Sequence, residues 1–183
     1  MDWYSVVKFL HIISATLWVG GGFTLMLLAL LAERAGNIQG TLQAMRATGE
    51  LGNTFFAPMS MATLVFGLIM CWFWVGFSDL WIVIGLAGYA MTFCVGMFVF
   101  KPTADRMAKM IARDGITPAA LGHGQRILNA ARFDYSVMLV IVVDMVLKPT
   151  AHDIATLVCM ALIIVAGATL ALGRPRRLRP SAA

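Results

Sequence analysis

The longest apolar run in the sequence is Trp3–Leu31, WYSVVKFLHIISATLWVGGGFTLMLLALL, in which Lys8 is the only charged residue. A transmembrane α-helix needs about 20 predominantly apolar residues, so this run is long enough to cross a bilayer. A secretory signal peptide would begin with a basic segment and have a shorter apolar core, whereas Asp2 stands at the start here. The sequence therefore predicts a permanent transmembrane helix.

Four further apolar stretches follow the first, and we expect each of them to span the membrane. They are Phe55–Val75, Leu80–Phe100, Phe133–Leu147 and Ile154–Leu172. The stretches are continuously apolar rather than alternating, which argues against a transmembrane β-barrel. The chain is 60% hydrophobic and 13% charged, whereas soluble domains carry about 25% charged residues. The predicted fold is all-α: residues 1–175 form one antiparallel bundle of five transmembrane helices, and residues 176–183 form a basic cytoplasmic tail.

The longer connections carry helical patterns of their own. Ile38, Leu42 and Met45 recur at amphipathic spacing, and Met107, Met110 and Ile111 do so in the other connection. We expect both to form short amphipathic helices lying on the cytoplasmic interface. Thr117-Pro118 is typical of a helix start. One long helix is therefore predicted from near Pro118 to Lys148, with its first half projecting into the cytoplasm.

Lys and Arg are distributed unevenly among the connections. The chain has 14 of these residues. All except Lys8 and Lys148 lie between Leu31 and Phe55, between Phe100 and Phe133, or in the tail. If all five stretches span, these segments share one side of the membrane. Membrane proteins concentrate Lys and Arg on the cytoplasmic side. We therefore predict a bacterial inner-membrane protein with its N-terminus outside and its C-terminus in the cytoplasm.

Several classes of function lack support in the sequence. A pI of about 9.5 is common among nucleic-acid-binding proteins, but the cations here flank predicted spans. Orientation and contact with anionic lipid explain them there. The sequence shows no nucleophile with a nearby base, no phosphate-binding loop and no paired carboxylates, so nothing indicates a hydrolase or a kinase. The expected partner is the lipid bilayer, with no nucleic acid.

His11 is the strongest candidate for chemistry, because polar groups inside a bilayer are costly and often functional. It lies about eight residues into the first helix, roughly 12 Å below the outer surface. Ser14, Ala15, Trp18 and Gly22 follow on the same helical face. A neutral imidazole is the usual axial ligand of haem and a common ligand of copper. By position alone, a structural histidine bonded to a nearby carbonyl or carboxylate is favoured by about two to one.

Asp144 is the second candidate within the apolar stretches. The antiparallel topology sets it at about the depth of His11. It could accept a hydrogen bond from His11 and so orient a ligating ring. It could instead pair with Lys148 one turn further along, a local contact that requires less of the fold. The local pair is the stronger alternative.

A polar stripe is predicted where the fourth helix meets the cytoplasm. It consists of Arg126, Asn129 and Arg132, with Glu33, Arg34 and Asn53 at similar depth. The stripe could clamp carboxylates such as porphyrin propionates, although an interfacial set of long side chains reaching into water is the favoured alternative. His123, between two glycines, is expected to be solvated.

Two segments at the start of the chain carry a resemblance to known families. Lys8–Ile13 (KFLHII), followed by Trp18–Gly21 (WVGG), resembles the first helix of HemJ, a protoporphyrinogen oxidase, and of the CopD copper-resistance group. An uncharacterised family of small predicted bacterial membrane proteins shares the pattern. The similarity to HemJ continues at Asn53–Met59, at Arg126–Asn129 and through Val137–Pro149. It covers most of the chain in architecture.

The HemJ resemblance implies that His11 ligates haem b in the outer half of the bundle. The predicted cofactor-binding residues are His11, Trp18, Asp144, Arg126, Asn129 and Arg132, with His11 as the metal ligand. Two departures weigh against the oxidase activity itself. The stretch Trp81–Gly85 lacks the lysine that the family carries there, and Ala130 replaces an acidic residue. These departures indicate a divergent relative, so whether the protein is an enzyme stays open.

Three functions therefore remain as alternatives. The first is a haem-binding membrane protein in redox or haem metabolism. The second is a copper-handling protein of the CopD type. The third is a non-catalytic subunit, either in a homo-oligomer or in a larger respiratory or photosynthetic complex. An absorption spectrum of the purified protein would separate the first from the other two.

Overall fold

A computed structural model describes residues 2–173, which form five long helices joined by short turns. The helices are α1 (Trp3–Arg34), α2 (Ile38–Val75), α3 (Leu80–Asp114), α4 (Pro118–Leu147) and α5 (Ile154–Leu172). The predicted all-α fold of a polytopic membrane protein is confirmed. The tail predicted at 176–183 lies outside the described residues.

The central helix, α4, differs in composition from the other four. Each of α1, α2, α3 and α5 is long and apolar enough to cross a membrane, whereas α4 carries Arg132, Asp134 and Asp144. It packs against α1, α3 and α5. Charged side chains are costly in contact with lipid, so transmembrane helices turn them towards the bundle interior. Because α4 packs against three other helices, its charged side chains can face the interior of the bundle.

The boundaries of α4 follow from local capping. The hydroxyl oxygen of Thr117 accepts a hydrogen bond from the backbone N–H of Ala120 at 3.2 Å, and Pro118 occupies the first helical position. The helix ends at Leu147, after which Lys148 adopts the left-handed conformation with φ of 48°. The prediction of one long helix over this region is confirmed.

The two amphipathic connections are helical, but the prediction that they lie on the interface as separate helices was wrong. Ile38–Leu51 continues through a π-helical turn at Gly52–Phe56 into the rest of α2. Lys101–Asp114 is likewise the end of α3. Their apolar faces pack with the ends of α1 and α4 into one core, formed by Ala29, Ala44, Met45, Met107 and Leu128. An amphipathic face can bury against protein as well as against lipid, because both remove apolar area from water.

Small residues allow other helices to approach α4 closely. A Cβ atom added at Gly22 of α1 would overlap the hydroxyl of Tyr135, and one added at Gly167 of α5 would overlap Ser136. Such positions are typical of helix contacts in membranes, where close backbone approach provides the packing energy. These two glycines therefore set which parts of α1 and α5 pack against Tyr135 and Ser136 of α4.

Candidate functional site

His11 is held against α2 by a hydrogen bond to the backbone. Its Nδ1 lies 2.8 Å from the carbonyl oxygen of Thr63. A carbonyl oxygen only accepts, so Nδ1 must carry a proton, and in the neutral ring Nε2 then keeps its lone pair. The ring also lies against Gly67, where an added Cβ would be 3.1 Å from His11 Cε1. The result is an oriented imidazole at the contact between α1 and α2.

The rest of the face that the sequence grouped with His11 turns towards other helices. Ser14 is buried, and its hydroxyl donates to the carbonyl of Leu10 at 2.7 Å. Trp18 packs edge-on against Tyr89 of α3, with ring centroids 5.6 Å apart. His11 therefore contacts α2, whereas Trp18 contacts α3.

Asp144 makes neither of the two interactions predicted for it. The residue is 0% exposed, and both of its carboxyl oxygens lack a hydrogen-bond partner within the described chain. The predicted pair with Lys148 was wrong, because the Lys148 ammonium lies 5.0 Å from the centre of the Trp81 ring instead. That cation–π contact with α3 competes with the local ion pair. The predicted hydrogen bond to His11 is also not formed.

The polar stripe is formed in part. Arg132 donates to a carboxylate oxygen of Glu33 at 3.0 Å and to the side-chain oxygen of Asn129 at 3.1 Å. The Arg132 and Glu33 side chains are 24% and 7% exposed, so this ion pair between α1 and α4 is largely shielded from water. Arg126 is exposed. Because Arg132 already has a carboxylate partner, it is not a free clamp for propionates.

The environment of His123 also differs from the prediction. Its Nδ1 is buried and has no hydrogen-bond partner within residues 2–173, whereas the sequence suggested a solvated ring. The residue lies in the first half of α4, within the long helix that was predicted. At the neighbouring Gly124, α4 packs against Met45 of α2 and Met107 of α3.

A cavity of about 270 Å³ lies between α1, α2, α3 and α4. Its wall is rich in aromatic side chains, namely Trp18, Phe56, Phe93, Phe100 and Tyr135. Asn53, Lys101 and Asp105, which also line it, are exposed and mark its rim. Asp134 lines the interior, is 3% exposed, and its Oδ1 has no hydrogen-bond partner in the part of the chain described.

Two π-helical turns border this cavity. Gly52–Phe56 interrupts α2 and Gly96–Phe100 interrupts α3, and both contribute residues to the wall. Such turns are rare and occur frequently at functional sites, because they shift the helix axis and the direction of the side chains. The cavity is thus associated with two local departures from regular helix.

Sequence reasoning singled out Asp144 but not Asp134. Both are acidic residues inside the fourth apolar stretch, and the cost of charge in a bilayer applies equally to each. That signal could have identified Asp134. The cavity itself could not be predicted, because four helices must be placed before the space between them exists.

The match to a known family covers most of this architecture. Residues 5–149 match a family described as predicted integral membrane proteins, DUF2269. The matched region contains nearly all of α1 and the whole of α2, α3 and α4. No curated protein and no solved structure matches the chain. With far more than half of its length matched, this chain belongs to the DUF2269 family of predicted integral membrane proteins.

Proposed function

We propose that this membrane protein binds haem b, which His11 would hold, and that it acts in redox or haem metabolism. The observation that carries the proposal is the 2.8 Å contact between His11 Nδ1 and the Thr63 carbonyl. It fixes the tautomer in which Nε2 is free to bind a metal, as is usual for ligating histidines. The resemblance of the first helix to HemJ supports the same residue.

Haem is favoured over copper by the number of side chains that each requires. No group of three or more His, Cys, Asp or Glu side chains lies close enough to hold a metal ion within residues 2–173. A copper ion would need several protein ligands. Haem iron takes four nitrogens from its own porphyrin and needs as few as one histidine. The single oriented imidazole at His11 therefore suits haem better.

The proposal does not extend to protoporphyrinogen oxidation. Trp81–Gly85 carries no lysine, and Ala130 stands where HemJ has an acid. Bound haem would supply one-electron chemistry, and the protein's contribution would be to bind and orient it. His11, fixed by α2, is the residue that does so. Arg132 is engaged with Glu33 and serves the fold.

We further propose that the protein lies in the bacterial inner membrane with its N-terminus outside. The turns that follow α1 and α3 lie at the same end of an antiparallel bundle. Eight described cations are found at that end, namely Arg34, Arg46, Lys101, Arg106, Lys109, Arg113, Arg126 and Arg132. Lys8 and Lys148 lie at the opposite end. The positive-inside tendency assigns the first end to the cytoplasm.

An absorption spectrum of the detergent-purified protein, produced in cells supplied with a haem precursor, tests the haem proposal. The wild-type protein should show a Soret band, and His11→Ala should lose it while still inserting in the membrane. His123→Ala is the matched control, because that histidine lies in the first half of α4, far along the bundle, and should keep the band. Bound metal without a Soret band would favour the copper alternative.

A further inference from the structure

The cavity between α1, α2, α3 and α4 contains an acidic group that the proposed function does not use. Asp134 is 3% exposed, lines the cavity and has an unpartnered Oδ1 among the described residues. A buried carboxylate without a partner is strongly disfavoured, so such groups are usually paired with a cation or with hydrogen-bond donors. Among residues 2–173, no ion pair and no hydrogen bond to Oδ1 is supplied to Asp134. A ligand could supply one.

The composition of the wall indicates what kind of ligand would fit. Trp18, Phe93 and Tyr135 line the same cavity as Asp134. Aromatic rings attract cations through their negatively charged faces, and they also pack against apolar groups. At the exposed rim, Lys101 and Asp105 carry opposite charges and largely offset each other. Inside the cavity, Asp134 is therefore the charge that selects the ligand.

We propose that this cavity binds an apolar organic cation, whose positive head group pairs with Asp134 and whose body packs against the aromatic wall. A volume of about 270 Å³ is slightly below the roughly 300–1,000 Å³ usual for small-molecule sites. An amine with one aromatic ring or a short alkyl chain therefore fits better than a large polycyclic molecule.

Asp144 provides an internal comparison for this site. It is also buried and has no hydrogen-bond partner among residues 2–173, and it lies on the same helix ten positions further along. It is not among the residues that line the cavity, and its Oδ2 lies instead beside Gly85 of α3. A neutral replacement at Asp144 thus removes an equivalent buried charge without altering the site. His11 does not line the cavity either, so failure of this proposal would leave the haem proposal unaffected.

Calorimetric titration of the full chain in detergent with 2-phenylethylamine, which is a cation at neutral pH, tests the site. The wild-type protein and Asp144→Asn should bind one amine per chain with similar affinity. Asp134→Asn should bind it about tenfold more weakly or worse, because the paired charge is lost. The neutral analogue 2-phenylethanol should bind the wild-type protein weakly. Equal affinities for the amine and the alcohol, or no saturable binding of the amine, would overturn the proposal.

A second variant keeps the test decisive if Asp134→Asn fails to fold. Gly96 lines the cavity, has ordinary helical backbone angles, and a Cβ atom added there would meet no atom within 4 Å. Gly96→Phe should therefore fold and fill part of the space, abolishing amine binding. Wild-type amine affinity in this variant would contradict a ligand in the cavity.

Discussion

Replacement of Gly67 by alanine tests whether α2 holds the His11 ring in place. The added methyl group would lie 3.1 Å from Cε1 and 3.3 Å from Nδ1 of His11, closer than the roughly 3.5–4.0 Å of favourable carbon contacts. The ring can relieve this crowding only by moving away from α2. Such a movement would lengthen its 2.8 Å hydrogen bond to the Thr63 carbonyl, one turn earlier on the same helix.

The expected loss of stability follows from these contacts. Overpacking a close contact typically costs about 1–3 kcal/mol, and the helix preference of alanine over glycine returns about 0.5–1 kcal/mol. We therefore expect Gly67→Ala to unfold with about 1–2 kcal/mol less free energy than the wild-type protein. If the ring is displaced, haem affinity should fall about 10–100-fold, the usual loss when the partner that orients a ligating histidine is disturbed.

Denaturant unfolding in detergent, followed by circular dichroism, measures the first effect, and a haem titration measures the second. Gly20→Ala is the matched control, because a Cβ atom added at Gly20 of α1 meets no atom within 4 Å. It should be as stable as the wild-type protein or slightly more so. Equal stability of Gly67→Ala and Gly20→Ala would refute the view that α2 clamps the ring.

Two further predictions concern the ion pair and the orientation. Glu33→Gln should lower the free energy of unfolding by roughly 1–3 kcal/mol, because Arg132 is left without its carboxylate in a mostly shielded site. This value lies between those for surface and for buried ion pairs. A double-mutant cycle with Arg132→Gln measures the coupling between the two residues, and additive effects would refute a coupled pair. A reporter fused after Gly115 should give a cytoplasmic signal, and an external signal there would reverse the proposed topology.

The architecture could be predicted from the sequence because its signals are local. Apolar length identified α1, α2, α3 and α5, and Thr117-Pro118 identified the start of α4. The position of the amphipathic segments could not be predicted in the same way. An apolar face over Ile38–Leu51 looks the same whether lipid or another helix covers it.

The candidate site was less predictable because its contacts join distant parts of the chain. The prediction of a local pair between Asp144 and Lys148 was wrong because Trp81, on another helix, contacts the Lys148 ammonium instead. His11 was identified from its position in an apolar stretch, but its partner Thr63, 52 residues away, could not be. Pairwise contacts of this kind depend on helix rotation and height, which periodicity does not determine.

Equilibrium titration of haem into the purified protein tests the central claim most directly. The wild-type protein and His152→Ala, which alters an exposed histidine in the turn before α5, should each bind one haem per chain with a shared dissociation constant. In His11→Ala, saturable binding should be lost while the helical circular dichroism spectrum is retained. Saturable binding with unchanged affinity in His11→Ala would contradict the assignment of His11 as the ligand, and absence of binding to the wild-type protein would contradict haem binding altogether.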